Sequence, residues 1–588
     1  MRFRSTTSLA GLLVAVAAAA VLLPGLGAAP LWDDDEGRNT GCSLAMRTDG
    51  DLVVPRFNGR LRIEKPPLVN WLQLCGFAVA GTNETGARIG SAAVTIGTCL
   101  LTWRIGSRLF GGAAGTWAGV VMATCLWTAV GGRAATPDAV LVFCTTLALW
   151  LSVRGLHDGT TPDGCAGGPR ITRGSAAAVG VACGLAMLAK GPVGLVPPLA
   201  AFVGFATWQA LPAAGTGTPP RRLGAALGAS LRGCHAGTIV AAALAVAAPW
   251  VVLVTLRTAG EWPRGFLFVH NVGRFAAPME GHSGSLLYYP AVALLGTFPW
   301  SMASALVGLH LLASARGGAG AAPAPGARLA IAWLAAWFIP FSLAGTKLPG
   351  YIWPAYPAIA LAVGSFLDAW ITRPAPAVDR WMRLAWGLLA VSGLALLGAA
   401  PVFAHRLAPG GAWLGLVGLV PLAGGIGGWV LQARDRRFAA AASWAATACA
   451  TVGVLAACGP ACVAASGGLP RLLAGIRPTA AGGQPVIATF GTPPSTVFYG
   501  GLAAADGRVV DLEHPAAFAA IVARSPEAHL VVDARYEPQA REALPAGHLL
   551  LGDTVCPPGR RRVLLFGPAP GDDDLRLAGG PDARVVPR

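Results

Sequence analysis

Residues 174–209 read GSAAAVGVACGLAMLAKGPVGLVPPLAAFVGFATWQ, and this stretch contains a single charged residue, Lys190. It consists of two apolar segments, 174–189 and 192–209, on either side of a Lys-Gly-Pro turn. Each segment approaches the roughly 20 apolar residues that a membrane-spanning helix needs. The stretch therefore predicts two membrane helices joined by a tight turn that carries one lysine.

The composition of the whole chain agrees with a lipid environment. Hydrophobic residues make up 54% of the 588 residues and charged residues only 12%. An ordinary soluble domain carries about 25% charged residues, and the mean hydropathy here is +0.57. These values exclude a soluble enzyme, a disordered chain and a disulfide-rich scaffold.

Thirteen such segments predict an α-helical polytopic membrane protein with about 13 transmembrane helices. The first segment follows Arg2 and Arg4 and also has the features of a cleavable signal peptide. Both interpretations place the next residues outside the cytoplasm. The segments are centred near 8–28, 87–103, 112–130, 138–153, 174–189, 192–209, 236–256, 286–313, 329–345, 351–370, 384–404, 411–431 and 438–460.

The distribution of Lys and Arg predicts the orientation. With a cytoplasmic N-terminus, alternate loops should be basic. Those loops and the N-terminus carry 18 basic and 5 acidic residues, a balance of +13 out of a formal net charge of +16. The basicity is therefore a topology signal, and no nucleic-acid partner is expected.

Beyond about residue 460 the sequence changes character. Short strand-like runs alternate with a helix-like run at 515–524, which predicts a small C-terminal α/β domain. An odd number of membrane helices places this domain outside the cytoplasm. We expect the last stretch, 571–588, to be disordered. The strand-like runs are 484–490, 508–512, 529–534 and 562–566.

These boundaries predict two domains. Residues 1–460 form a membrane domain, and 461–588 form an extracytoplasmic domain. The first external loop, 29–86, lies within the former. The cysteines lie mostly in apolar runs and are interpreted as buried apolar residues, with a Cys42–Cys75 disulfide as an alternative outside the cell.

The first external loop begins with an acidic run, Asp33-Asp34-Asp35-Glu36, directly after a membrane helix. Such a run is often only a solvated loop end. A carboxylate fixed at the membrane surface can also act as a general base or orient an attacking hydroxyl. Arg38 is close enough in sequence to hold such a carboxylate ionised.

The same loop contains Glu64-Lys65-Pro66-Pro67. The two prolines stiffen the chain after Lys65, so its ammonium can be presented to a phosphate. A lysine beside an interfacial helix is the simpler alternative for this motif taken alone.

Other outward turns repeat this chemistry. Ionisable groups near membrane depth are costly and usually functional. An external face with carboxylates and cations suits an amphipathic lipid phosphate, whose tail stays in the bilayer while cations hold the phosphate. The turns carry Asp138, Lys190, His270, Arg274, Lys347 and Tyr351.

Eight short motifs occur in a fixed order between about residues 30 and 360. They are Asp35-Glu36-x-Arg38; Pro55 to Gly59 leading to Glu64-Lys65-Pro66-Pro67-Leu68; Ala87-Arg88-Ile89; Gly132-Arg133 to Asp138; Leu188-Ala189-Lys190-Gly191-Pro192; Arg274-Phe275; Pro299-Trp300; and Lys347-Leu348-Pro349-x-Tyr351.

This ordered set resembles the GT-C membrane glycosyltransferases, in particular the bacterial aminoarabinose transferase and protein O-mannosyltransferase-like group. The resemblance implies a bacterial-type plasma (inner) membrane protein. It also implies inverting transfer of a sugar from a polyprenyl-phosphate donor to a lipid A-like lipid, an envelope glycan or a protein, at the outer membrane face. The alternatives are an enzyme acting on Ser or Thr of exported protein and, in a different class, a lipid-linked sugar flippase.

The resemblance also implies residue roles. Asp35, Glu36 and Asp138 take the catalytic positions. Glu64 and His270 match positions that can hold a divalent metal in a relative. An aromatic residue usual after the first motif is replaced here by Asn39, and a tyrosine usual before Glu64 is replaced by Arg62-Ile63. The donor- and phosphate-binding positions are Arg38, Lys65, Lys190, Arg274, Lys347 and Tyr351.

Overall fold

The structure is a computed structural model. The description covers residues 2–32, 34–156, 169–211, 218–279, 281–317, 322–407, 411–465, 468–474, 476, 486–503, 509–556 and 561–569. The predicted disordered stretch 571–588 and the predicted acid Asp33 lie outside these residues.

Helices dominate the chain, as predicted. Within the described residues, nine helices are long and apolar enough to cross a membrane, or up to eleven if each bent pair is one span. The predicted number of thirteen remains a prediction. The helices up to the C-terminal sheet are α1 Arg2–Leu22, α2 Asp35–Asp49, α3 Leu68–Ala80, α4 Glu84–Phe110, α5 Gly112–Thr124, α6 Leu126–Gly132, α7 Pro137–Gly155, α8 Arg173–Lys190, α9 Val196–Ala210, α10 Pro219–Gly233, α11 Ala236–Arg257, α12 Glu261–Arg264, α13 Arg274–Ala276, α14 Tyr288–Gly296, α15 Ser304–Arg316, α16 Pro325–Leu343, α17 Tyr356–Thr372, α18 Pro376–Leu407, α19 Leu419–Ala433, α20 Arg437–Ala465 and α21 Leu469–Leu473.

Two of the predicted spans are broken. The segment predicted at 112–130 consists of α5 and α6, bent by 60°. The single helix predicted at 286–313 is wrong, because α14 and the helical segment from Trp300 meet at 117°. Pro299 lies at this corner and has no N–H with which to continue a helix.

The first external loop is more ordered than predicted. It contains α2, α3 and a two-stranded hairpin of β1 Arg56–Phe57 and β2 Arg60–Leu61. Asn58 and Gly59 form its turn with φ values of 51° and 76°. A two-residue turn with both φ values positive favours Asn-Gly, so this dipeptide was a usable signal in the sequence.

The C-terminal α/β domain is present. Its five-stranded sheet has the order β4-β3-β5-β7-β6, with parallel β4-β3-β5 and antiparallel pairing at β7 and β6. The four predicted strands are confirmed, and β6 was missed. The elements are β3 Ile487–Phe490, α22 Ser495–Ala503, β4 Val509–Asp511, α23 Phe518–Val522, β5 His529–Asp533, α24 Glu537–Ala543, β6 His548–Cys556 and β7 Arg561–Pro568.

This sheet domain packs directly on the first external loop. Phe498 of α22 stacks on Phe77 of α3 with ring centroids 6.3 Å apart. The Tyr499 hydroxyl accepts from the Leu31 N–H at 2.7 Å and donates to Glu84 at 3.0 Å. The domain therefore holds the segment that leads into α2. Cys42 and Cys75 are free thiols, so the alternative disulfide does not form.

Candidate functional site

A cavity of about 1110 Å³ lies where the predicted motifs meet. Each polar side chain reaches it from the end of an element. Asp35 begins α2, Asp138 lies in the first turn of α7, and Lys190 ends α8. The predicted residues that line this cavity are Asp35, Glu36, Arg38, Glu64, Lys65, Asp138, Lys190, Arg274 and Tyr351.

Lys65 is a cation of this cavity that makes no direct polar contact with the described residues. It precedes the Pro-Pro pair that leads into α3 and forms no hydrogen bond or ion pair with another described residue. Burial lowers the pKa of Lys65 to about 8, and the positive charge of Lys190 acts in the same direction. The carboxylates of Asp35 and Asp138 oppose this shift. An anion entering the cavity would relieve the repulsion among the cations.

Lys190, Asp138, Tyr351 and Arg274 form a connected group. The Lys190 ammonium donates to the Asp138 carboxylate in a short ion pair. It also lies 4.9 Å from the centre of the Tyr351 ring, and Arg274 donates to the Tyr351 hydroxyl at 3.3 Å. This group places Lys190 and Arg274 around the Tyr351 side chain, with the Asp138 carboxylate beside Lys190.

Asp35 is an exposed carboxylate that lines this cavity, as is its neighbour Asp34. It forms no salt bridge with any residue that the structure describes, and neither does Asp34 or Arg38. The ion pair expected between Arg38 and an acidic neighbour is therefore not observed with Asp34, Asp35 or Glu36, the acids of this run that the structure describes. Asp35 also lies close enough to Lys65 for their charges to interact, which suits a group that must meet both an acceptor and a donor.

Glu36 is buried and fully engaged. Its carboxylate accepts two hydrogen bonds from Arg88, at 2.9 Å and 2.6 Å. It also accepts from the N–H groups of Trp32 at 2.6 Å and Ala135 at 2.7 Å. Although burial disfavours the charged form, these donors hold the pKa of Glu36 below its usual value. This geometry ties Glu36 to the framework of the site through Arg88 and two backbone N–H groups, and its catalytic role stays a prediction.

A buried polar network joins the segments that carry the site. Two side chains of α2 bind the backbone of Ala135. The Ala135 N–H donates to the Glu36 carboxylate, and the Ala135 carbonyl accepts from the Asn39 amide at 3.0 Å. Arg62 donates to the Asn39 side chain at 2.7 Å and lies 3.4 Å from Glu64. The two positions that depart from the family pattern, Asn39 and Arg62, are therefore direct partners.

Lys347 does not line either of the two cavities described here. Its ammonium is buried and donates to the carbonyls of Ser342 at 2.7 Å and Ala344 at 2.9 Å. These carbonyls lie at the end of α16, where helices leave acceptors unsatisfied. Lys347 therefore caps the end of a helix in this structure, and its predicted role in donor binding stays a prediction.

Glu64 and His270 share a smaller cavity of about 190 Å³ that adjoins the first at Lys65, Lys190, Arg274 and Tyr351. No group of three or more His, Cys, Asp or Glu side chains with metal-binding geometry occurs among the described residues. Glu64 is also engaged by Arg62. These two side chains therefore do not by themselves form a fitting metal site.

The sequence motifs do not indicate the apolar half of the large cavity. Its walls come from α18, the 3₁₀ segment after it, and α20, far along the chain from the motifs. Small and aliphatic side chains there carry no chemical signature that a motif search could use. The residues are Ala400, Leu414, Val452, Leu455, Ala456, Gly459, Pro460, Cys462 and Val463.

Part of the chain matches a known family model. Residues 64–214 match the model described as dolichyl-phosphate-mannose-protein mannosyltransferase. The chain is 30% identical over 391 residues to an undecaprenyl phosphate-alpha-4-amino-4-deoxy-L-arabinose arabinosyl transferase of Aeromonas salmonicida, covering 65% of this chain and 64% of that protein. It is 26% identical to the enzyme of the same name from Edwardsiella ictaluri, over 58% of this chain and 56% of that protein. The chain therefore spans less than two thirds of the length of these relatives.

The fold is similar to that of a solved structure. The crystal structure of ArnT from Cupriavidus metallidurans bound to undecaprenyl phosphate superimposes with a TM-score of 0.71 at 23% identity, covering 95% of this chain and 98% of that one. The chain thus has the fold of the GT-C membrane glycosyltransferases and is a multi-pass membrane protein. The relatives that it matches in sequence include the undecaprenyl phosphate aminoarabinose arabinosyl transferases, so the resemblance found in the sequence is confirmed.

Proposed function

We propose that the chain is an inverting glycosyltransferase that moves a sugar from a polyprenyl-phosphate donor to an acceptor at the outer face of the membrane. The observation that carries this proposal is the single cavity that combines a carboxylate, Asp35, with the cations Lys65, Lys190 and Arg274 at one end and apolar walls at the other. A lipid phosphate has the same division between charged head and apolar tail.

The proposed reaction assigns each polar group a task. Asp35 orients the acceptor nucleophile or takes its proton. The nucleophile forms a bond to the anomeric carbon of the sugar while the bond between that carbon and the phosphate oxygen breaks. Lys65 and Arg274 stabilise the negative charge that develops on the departing lipid phosphate. Where the acceptor is already an anionic phosphate, Asp35 orients it without taking a proton.

Asp138 and Lys190 serve the same reaction indirectly. In the absence of donor, Asp138 holds the Lys190 ammonium at the cavity wall. A donor phosphate competes with that carboxylate for the ammonium, and Tyr351 supplies a ring face on which Lys190 rests. Asp138 therefore keeps the cation in place and limits the like-charge repulsion that Lys65 experiences.

The topology follows from the charge distribution. We place the N-terminus in the cytoplasm of a bacterial-type cell, the site at the outer face, and residues 461–588 outside. Helix α20 continues to Ala465, close to the proposed boundary at 460. The curated relatives transfer an aminoarabinose unit by name, which favours a lipid A-like acceptor. The family model that matches residues 64–214 names protein mannosylation, so exported protein is the second candidate acceptor.

The deciding experiment uses purified protein in proteoliposomes that contain lipid A as acceptor and an undecaprenyl-phosphate sugar labelled in both parts. A transferase releases undecaprenyl phosphate and gives a labelled acceptor, whereas a flippase moves the intact donor across the bilayer. Asp35→Asn should abolish release, and Asp34→Asn, one residue away and equally exposed, should retain it. Full activity of Asp35→Asn would refute the assignment of Asp35, and translocation without cleavage would refute the function.

A further inference from the structure

Helix α10 presents an apolar stripe that no part of the described chain covers. Leu223, Leu227 and Leu231 follow each other at intervals of four and are 51%, 42% and 43% exposed. Ala226 and Ser230 lie on another side of the same helix and are buried against the protein. Covering a leucine fully is favourable by about 1.5–3 kcal/mol, so three aligned and exposed leucines indicate a missing apolar partner.

The position of α10 puts this stripe at the boundary of the membrane. The helix α11 that follows is apolar over 22 residues and long enough to span a bilayer. His235 stands between them with a φ of 48°. A residue in the left-handed conformation interrupts a right-handed α-helix. Helix α10 therefore does not continue into α11 but changes direction at His235. It therefore lies beside the end of a membrane helix.

The same region is strongly basic. Residues 169–235 contain no Asp or Glu. Arg170, Arg173, Arg221 and Arg232 are exposed, and none of them forms an ion pair with a carboxylate in the described parts of the chain. The end of α10 is tied to the segment that carries Arg170 and Arg173 by a hydrogen bond from the Ile171 N–H to the Gly233 carbonyl at 3.2 Å. The four cations are thus part of one local surface.

Helical geometry separates the leucines from the arginines of α10. At about 100° per residue, Arg221 and Arg232 point within about 20° of each other, and the leucine stripe lies about 130° away from them. An interfacial helix has this arrangement, with its apolar side in the acyl region and its cations at the level of the headgroups.

We propose that α10 lies in the membrane interface and binds anionic phospholipid headgroups through Arg221 and Arg232, with Arg170 and Arg173 beside them. The leucines need an apolar environment and the arginines an anionic one, and the surface of an anionic bilayer supplies both at adjacent depths. This binding surface is separate from the cavity and does not depend on the proposed function.

The test is amide hydrogen exchange of peptides covering 219–233 in the full-length protein. Nanodiscs of phosphatidylcholine are compared with nanodiscs that also contain phosphatidylglycerol. The affected variant is Arg221→Gln/Arg232→Gln, and the matched control with the same charge change is Arg471→Gln/Arg524→Gln in the C-terminal domain. Leu223→Ser/Leu227→Ser tests the apolar part.

We expect exchange of 219–233 to be at least fivefold slower with phosphatidylglycerol, because each arginine near an anionic surface contributes about a fivefold change in affinity. The difference should disappear in the arginine variant and at high salt but persist in the control. The leucine variant should exchange faster in both lipids. Equal exchange in the two lipids for the unmodified protein would overturn the proposal. Unchanged exchange of the leucine variant in both lipids would overturn it as well, since the stripe would then not contact the membrane.

Discussion

Replacing Lys65 tests the phosphate-binding role of the cation cluster most sharply. Lys65→Gln removes the ammonium that has no partner among the described residues and keeps a side chain of similar length. A hydrogen bond to a charged group contributes about 1.5–3 kcal/mol. Affinity for undecaprenyl phosphate should therefore fall about 10- to 150-fold. Isothermal titration calorimetry of the solubilised protein would measure it.

The pKa of Lys65, lowered by burial to about 8, adds a pH signature. Below pH 8 the side chain is the ammonium that attracts phosphate, and above pH 8 it is a neutral amine. Between pH 7 and 9.5 the phosphate charge is nearly constant, because its second pKa is about 6. The dissociation constant of the unmodified protein should therefore rise above pH 8, by up to about tenfold per pH unit.

Lys65→Arg supplies the control, because a guanidinium stays charged across this range. Its dissociation constant should change little between pH 7 and 9.5, even if its absolute affinity differs. Two results would contradict the reasoning: an unchanged affinity in Lys65→Gln, or a dissociation constant of the unmodified protein that is flat across this range.

Two further predictions concern the framework around the cavity. Glu36→Gln leaves the buried Arg88 guanidinium without its counter-ion, so the protein should lose about 3 kcal/mol of stability and melt at a lower temperature. The control Glu513→Gln, at an exposed position, should not change the melting temperature. Equal melting temperatures for the two variants would argue that Glu36 does not stabilise the framework. Arg62→Met and Asn39→Leu should couple in a double-mutant cycle by about 0.5–3 kcal/mol. The coupling would be measured as thermal stability and as the ratio of kcat to KM for transfer. Strictly additive effects would show that the hydrogen bond between Arg62 and Asn39 contributes little.

The convergence of Asp35, Lys65, Asp138 and Lys190 was predictable from the sequence. Asp138 and Lys190 lie at the ends of apolar segments, and Asp35 and Lys65 lie in the first external loop, all on the side that the Lys and Arg distribution marks as external. Side chains at these ends share one membrane face whatever the packing of the helices. The motif order then adds the resemblance to a known class.

The division of labour between Asp35 and Glu36 was not predictable. Adjacent residues on a helix point about 100° apart, so the position at which α2 begins decides which of them meets the cavity and which meets Arg88. That position depends on Trp32 and Ala135, whose N–H groups donate hydrogen bonds to the Glu36 carboxylate. No local sequence pattern contains this information.

Lys347 is a second residue whose contacts could not be predicted from the sequence. In the sequence it is one more cation in an outward turn, like Lys190. Its ammonium lies within reach of carbonyls three and five residues earlier because α16 ends there. Lys190 ends a helix as well, yet its ammonium pairs with Asp138 at the wall of the cavity. Tertiary contacts separate the two lysines, and the apolar wall from α18 and α20 depends on such contacts too.

If one cavity both holds a lipid phosphate and carries out sugar transfer beside it, loss of the Asp35 carboxylate should affect transfer and leave phosphate binding intact. The most direct test measures release of undecaprenyl phosphate from an undecaprenyl-phosphate sugar by Asp35→Asn at saturating donor, together with the affinity of that variant for undecaprenyl phosphate. We expect release to be lost while the affinity stays within a few-fold of the unmodified protein. Loss of both together, or retention of release, would contradict this expectation.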